Sequence, residues 1–473
     1  MGTPPSVTDA SWRRLTDVVV GRFARHPVLS VFFVALVVRV VAAVVVAVGF
    51  DGFLFFDDAN YSRLAELAAD GAVRDPYDSF LYERTATLLV PITGLYGLFG
   101  PVGLLGQLFV ATVGAATAAA VTRLAREVVA WPYAALAGLI VALLPSQILW
   151  SSLILKDAAV WAVLSALALV VALAARGGGR RLALLGVAAA GLLVLLGFLR
   201  LHSLEVACVA IVLAVLAFPR PRPLARLAGA AGLLVCVPFA FGMGVAGSSF
   251  VKSRGDTGYQ RAVNAIDAES AVVAAPPVAE PPPVVTPPAS TSETRTPSRT
   301  ASARRRKSPR RTSSAPGART PKAPDTPARA GKTTPAPAPA PAPVPTDDPA
   351  PAASSLAYLP TGVTVVALRP WPWESSSRNL GISMARAETI IWYPLLLLAL
   401  IGLSAVWKHR RALAFPVLVG GGVLATYALT EGNLGTAYRH RGEFVWVVAL
   451  LAAVGVERVV AWRNARRPPP VGA

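Results

Sequence analysis

Two adjacent carboxylates, Asp57 and Asp58, stand in the run Phe55-Phe56-Asp57-Asp58-Ala59-Asn60-Tyr61. Such a pair suits general-base work or the holding of a cation. One of the two also suits the cap of a helix over Tyr61–Ala69, which Asp70-Gly71 would end. A third acid, Asp157, closes the run Leu149-Trp150-Ser151-Ser152-Leu153-Ile154-Leu155-Lys156-Asp157. It reads as a site acid or as half of a local Lys156–Asp157 anchor. Arg200 and His202 follow, and Arg439, His440 and Arg441 crowd a short segment near the end of the chain. Cations so placed bind an anionic group such as a lipid phosphate, or snorkel to headgroups.

The elements that must position these residues are apolar. Of 473 residues, 54% are hydrophobic and 15% charged, against about 25% charged in soluble domains. Apolar runs of bilayer-spanning length recur along the chain, which predicts an all-α, polytopic membrane protein. That class excludes a soluble enzyme, a secreted disulfide scaffold and a simple nucleic-acid binder. The net charge of +19 does not restore nucleic acid as a partner, because the positives lie beside apolar runs and in one low-complexity insert. Cys208 and Cys236 both lie in apolar runs and read as small core residues. No HExxH and no phosphate-loop motif occurs in the chain.

About ten spans are expected: 27–50, 103–122, 133–152, 158–175, 182–199, 204–218, 227–248, 388–407, 412–430 and 444–461. Residues 1–26 form a basic, cytoplasmic tail, and 27–50 is too long for a signal-peptide core. Arg39 sits mid-span, where a lone arginine costs roughly 2.5–3.5 kcal/mol, so it should face other helices. Alternating spans put Arg123/Arg126, Arg176/Arg180/Arg181, Arg220/Arg222/Arg226, Lys408/Arg410/Arg411 and Arg463/Arg466/Arg467 on one side, the cytoplasmic one. Thr87–Gly100 is apolar but broken by Pro91, Gly94 and Gly97. It is expected as a partial or re-entrant segment; counted as a span it would make eleven.

The expected organisation is therefore a 27–248 membrane module, a 249–387 external loop, a 388–461 membrane module and a 462–473 cytoplasmic tail. The first external loop, 51–86, would hold an interfacial helix with Tyr61, Leu64 and Ala68 on one face and Arg63, Glu66 and Asp70 polar. Segments 153–157, 200–203 and 431–443 would share its side of the membrane. Residues 276–351 carry 21 of the 41 prolines and the patch Arg304-Arg305-Arg306-Lys307. That composition predicts a disordered tract, either a tether to anionic lipid or wall polymer or an insertion without specific function.

An acidic pair followed by Tyr61 just after the first span resembles the Asp-Asp/Glu motif of GT-C-type membrane glycosyltransferases. The protein-mannosyltransferase and lipid A aminoarabinose-transferase group is the most similar. Arg39, Leu95–Gly100, Arg123-Leu124-Ala125-Arg126 and Leu144-Pro145-Ser146 leading to Lys156-Asp157 also look similar to that group. Pro370-Trp371-Pro372-Trp373, with Glu388 before Trp392-Tyr393, resembles bacterial members. The proline-rich insert departs from the pattern, and no soluble C-terminal domain is expected.

The resemblance implies transfer of a sugar from a polyprenyl phosphate to an envelope glycan or protein acceptor at the outer face. Asp57 would be the general base. Asp58 would orient it or hold a cation such as Mg or Mn, and Asp157 would contact the acceptor or a substrate-binding loop. Tyr61, Lys156, Arg200, His202, Arg439, His440 and Arg441 would bind substrate, the arginines taking the departing lipid phosphate. Readings of other classes remain open: a lipid-linked glycan transporter or flippase, a polysaccharide polymerase, and a non-catalytic envelope scaffold.

Overall fold

The computed structural model describes residues 21, 24–50, 52–218, 359–374, 380–430 and 434–466. The expected span 227–248 and the insert 276–351 lie outside the described residues. The described chain is helical, and its first helix shows what surrounds it. Helix α1, Pro27–Gly49, opens on a proline, whose missing N–H costs nothing at that position. Val31, Ala35, Arg39, Ala43 and Val46 are buried at helical spacing, while Phe33, Val37, Val41 and Val45 on other faces are exposed. A helix that is apolar on its exposed side as well is a membrane helix, with lipid covering what protein does not.

Seven described helices are long and apolar enough to cross a bilayer. They are α1; α5, Gly103–Ala125; α8, Asp157–Ala174; α9, Gly179–Leu199; α12, Leu380–Leu403; α13, Arg410–Thr430; and α14, Leu434–Ala465. The chain is thus a multi-pass membrane protein. The expected span 204–218 is α10, Leu201–Ala217, which at 17 residues falls just short of that length. The expected span 133–152 is two helices, α6, Trp131–Leu143, and α7, Pro145–Trp150. The break is local chemistry: Pro145 cannot donate to the ladder and disfavours α backbone at Leu144, which sits at φ −65°, ψ 127°.

Arg39 explains why that break is tolerated. Its guanidinium is fully buried and donates to the carbonyls of Val141 (3.0 Å) and Ala142 (3.0 Å) at the end of α6, and of Ala35 (3.1 Å). Its Nε donates to Ser151 Oγ at 2.7 Å. The cation in α1 therefore satisfies carbonyls that the end of α6 leaves free. Gly114 of α5 makes room for it: a Cβ there would lie 2.9 Å from Arg39 Nε and 2.5 Å from Ser151 Cβ.

Between α1 and α5 the chain makes three short helices. Helix α2, Phe56–Ala69, starts earlier than expected and ends at Asp70-Gly71 as expected, Gly71 taking φ +64°. Tyr61, Ser62, Leu64 and Ala65 form its buried face and Arg63, Glu66 and Asp70 its exposed one; Ala68 is only partly buried. Helix α3, Pro76–Arg84, is capped by Asp75, which accepts from the Tyr77 and Asp78 amides. Arg63 ties it to α2 through Asp78 at 2.7 and 3.0 Å. Helix α4, Ala86–Phe99, covers the expected partial segment; its 14 residues make about 21 Å, too short to span. It packs on α2, where Ser62 Oγ and Tyr96 OH lie 2.8 Å apart.

The C-terminal helices do not stand apart. Helix α14 packs on α6, α8 and α12, and α13 packs on α8, α10 and α11, Leu359–Leu368. Helices α12 and α14 meet backbone to backbone: Gly402 faces the Leu451 carbonyl and Gly455 the Leu398 carbonyl, with no room for a Cβ at either. Small residues permit such approach in membranes, where dispersion must replace hydrophobic drive. Gly455→Ala should therefore lower the thermal stability of the detergent-purified protein by about 1–3 kcal/mol, as overpacking does. Gly421→Ala, at a glycine with nothing within 4 Å of its Cβ position, should be neutral.

Candidate functional site

The acidic pair divides its labour by helix geometry. Asp58 is fully buried, and its carboxylate accepts from the amides of Leu54 (3.1 Å), Phe55 (2.9 Å) and Ala59 (3.0 Å). It closes the N-terminus of α2, reaching back to the amides of the entering chain as the acid of a capping box. Burial pushes its carboxyl above the ordinary value, and those amides pull it back. Asp57 points elsewhere. Its side chain is 51% exposed and accepts from Arg439 Nη1 at 2.9 Å.

Arg439 bridges two acids. Its Nε and Nη2 reach Asp157 Oδ2 at 2.8 and 2.7 Å. Asp157 is fully buried at the start of α8, and its other oxygen accepts from Arg200 Nη2 at 3.0 Å. Arg200 holds extended backbone between α9 and α10. Its Nη1 donates to Tyr427 OH at 2.7 Å and pairs with the buried Glu443. Ser203 donates to the other Glu443 oxygen at 2.8 Å. His202 Nε2 lies 2.8 Å from Tyr427 OH, and His440 stacks on the Tyr427 ring at 4.3 Å. Two guanidiniums and two buried carboxylates thus alternate from the mouth of the site into the bundle.

Lys156 and Tyr61 border this chain of charge. Burial, with Arg200 nearby, lowers the Lys156 amine to about 8. Burial, with Asp57 next, pushes the Tyr61 hydroxyl up to about 12. Trp150 forms the apolar side, with its ring 5.8 Å from the Arg439 guanidinium carbon and 5.2 Å from the Phe55 ring. Its indole N–H is buried without an acceptor among the described residues.

Arg441 was expected beside Arg439 and is not brought there. Residues two apart on a helix point to different faces, whereas those three or four apart share one. Arg439 and Glu443 accordingly face Asp157 and Arg200. Tyr438 and Arg441 face another cluster: Tyr438 OH donates to Glu388 at 3.1 Å, and Glu388 accepts from Ser146 N (2.5 Å) and Oγ (2.9 Å). Arg441 Nε donates to the Val366 carbonyl at 3.2 Å, and its Nη2 to that of Arg369. It braces the end of α11 rather than the acids.

Sequence reasoning missed Glu443, Tyr427 and Ser203. The signal was present for Glu443, an ionisable residue at the edge of an apolar run; a tyrosine or serine at a helix end carries none. A resident divalent cation does not fit these residues. Both Asp58 oxygens are taken by backbone amides, Asp57 is paired with a guanidinium, and no three His, Cys, Asp or Glu side chains converge as ligands among the described residues. Family models, curated proteins and solved structures give no match to the chain.

The buried and exposed acids should separate in stability. Asp157→Asn leaves the buried Arg200 and the partly buried Arg439 short of their shared carboxylate and should cost about 3–5 kcal/mol, the usual penalty for breaking a buried pair. Asp57→Asn, at a half-exposed pair, should cost less than about 1 kcal/mol. Thermal unfolding of the purified variants measures both.

Proposed function

We propose that this protein is a membrane glycosyltransferase that moves a sugar from a polyprenyl-phosphate donor to an envelope acceptor at the extracytoplasmic face. One observation carries the reading: a half-exposed carboxylate, Asp57, held at the bundle end by an arginine that a buried acid anchors. The motif resemblance around Asp57, Arg39 and Lys156-Asp157 supports it.

In this reaction an acceptor hydroxyl oxygen attacks the anomeric carbon, and Asp57 takes the hydroxyl proton. The bond from that carbon to the phosphate oxygen breaks, and the polyprenyl phosphate leaves with the electron pair. Arg439 has five N–H donors, of which three serve Asp57 and Asp157. The other two have no acceptor among the described residues and would meet the departing phosphate, where a charge-assisted donor is worth most. Asp157, through Arg200 and Glu443, keeps Arg439 in place, so its role is positioning. Asp58 holds the helix that presents Asp57.

Asp57→Asn keeps the shape of the side chain and removes its basicity. Transfer from a lipid-linked sugar donor in purified protein should fall by roughly 10²–10⁴-fold, with insertion and protein level unchanged. Normal transfer by this variant would sink the catalytic role and favour a lipid-linked glycan transporter or a scaffold.

The sidedness is tested separately. In a variant lacking Cys208 and Cys236, single cysteines in the α2–α3 connection should react with an impermeant thiol reagent on intact cells. Cysteines at 176–181 should not; labelling there would reverse the orientation.

A further inference from the structure

The far end of the bundle carries a cavity that the proposed reaction does not use. Helices α8 and α14 begin at the Asp157–Arg439 network. The 18 residues of α8 carry the chain about 27 Å away from it. There, Glu127 after α5, Arg176 after α8, and Lys408, His409, Arg410, Arg411 and Ala412 at the α12–α13 turn line a half-open pocket of about 410 Å³. Among the described lining residues, four fixed cations face one carboxylate.

That carboxylate is already committed. Glu127 pairs with both Arg123 and Arg176, and its backbone carbonyl accepts from Arg176 Nη2 at 3.0 Å. It braces the wall rather than neutralising the rest. On the other wall, Arg410 lies over the Trp407 ring at 4.6 Å and donates Nη1 to the Trp407 carbonyl at 3.0 Å. Its Nε is buried without an acceptor among the described residues. Lys408 and Arg411 are exposed. Basic residues that merely mark the side of a membrane need only sit near helix ends; here residues from three separate connections converge on one half-open pocket.

We infer that this cavity is a binding site for a phosphate-bearing group, with Lys408, Arg410 and Arg411 as its charge-assisted donors. Three cations on one wall can meet several oxygens of a single phosphate, and Arg pairs with it through two parallel N–H bonds. The same chemistry is offered by the headgroup of an anionic lipid and by a free polyphosphate. The site is independent of the glycosyl-transfer reading, since none of its residues approaches Asp57.

The protein in phosphatidylcholine nanodiscs provides the test, with two arms. In one, phosphatidic acid is added to the bilayer and lipid retained by the protein is read by native mass spectrometry. In the other, inorganic pyrophosphate is titrated and thermal stability followed. Wild type should retain phosphatidic acid, gain stability with pyrophosphate, or both; the arm that responds identifies the source. Lys408→Gln/Arg411→Gln, both exposed and safe for folding, should weaken the response at least about tenfold, as loss of two charged hydrogen bonds implies. Arg180→Gln/Arg181→Gln removes equal charge outside the cavity and should leave it intact. No response in wild type, or equal losses in the two double variants, would overturn the site.

Discussion

Asp157 is a fully buried carboxylate in a chain whose helices are otherwise chosen for apolarity. A charge taken out of water must be matched by another of opposite sign with good hydrogen-bond geometry. Here the match comes from far along the chain: Arg200 between α9 and α10, and Arg439 at the start of α14. Each of those guanidiniums carries a surplus donor that needs a further acceptor. Glu443 and Tyr427 meet Arg200, and Asp57 meets Arg439. Meeting one buried charge thus pins α8, α10, α13 and α14 at one end and fixes where α2 must place its first turn.

Arg39 obeys the same constraint by a different route. Among the described residues it has no carboxylate partner; it is surrounded by carbonyls and Ser151 Oγ. In the bilayer, a helix broken by proline is permissible only if neighbouring protein takes up the freed backbone groups. The cost of a mid-span arginine and the cost of the break at Leu144-Pro145 offset each other. This coupling also sets the course of α7, and hence of Trp150, which lies against Arg439.

The two ends of the bundle differ in kind. At the Asp57 end acids and arginines alternate, so charge is nearly balanced and held in fixed geometry. At the Glu127 end cations outnumber the lining acid, and several are exposed. A balanced network suits holding a reactive group in place, because its members cannot easily move. An unbalanced one suits attracting an anion, because its cations exceed the acids beside them.

Composition and apolar run length determined the helical, multi-pass class by themselves, because only helices satisfy the backbone over such runs. The α2 terminus at Asp70-Gly71, the shortness of the Thr87–Gly100 segment and the inward-facing Arg39 were also legible, since each rests on local chemistry. Which acid of the pair caps and which faces outward was not. Asp57 and Asp58 are the same residue type, and only the fold of residues 54–59 aims one at backbone amides and the other at Arg439. The parting of Arg439 from Arg441 was within reach of helical periodicity, but only once that segment was known to be helix rather than loop. Tyr427 and Ser203 acquired their roles from tertiary structure alone, and so did the partners of Glu443 and Glu388. A buried polar side chain takes its meaning from partners hundreds of residues away, and those distances are set by packing rather than by the local pattern.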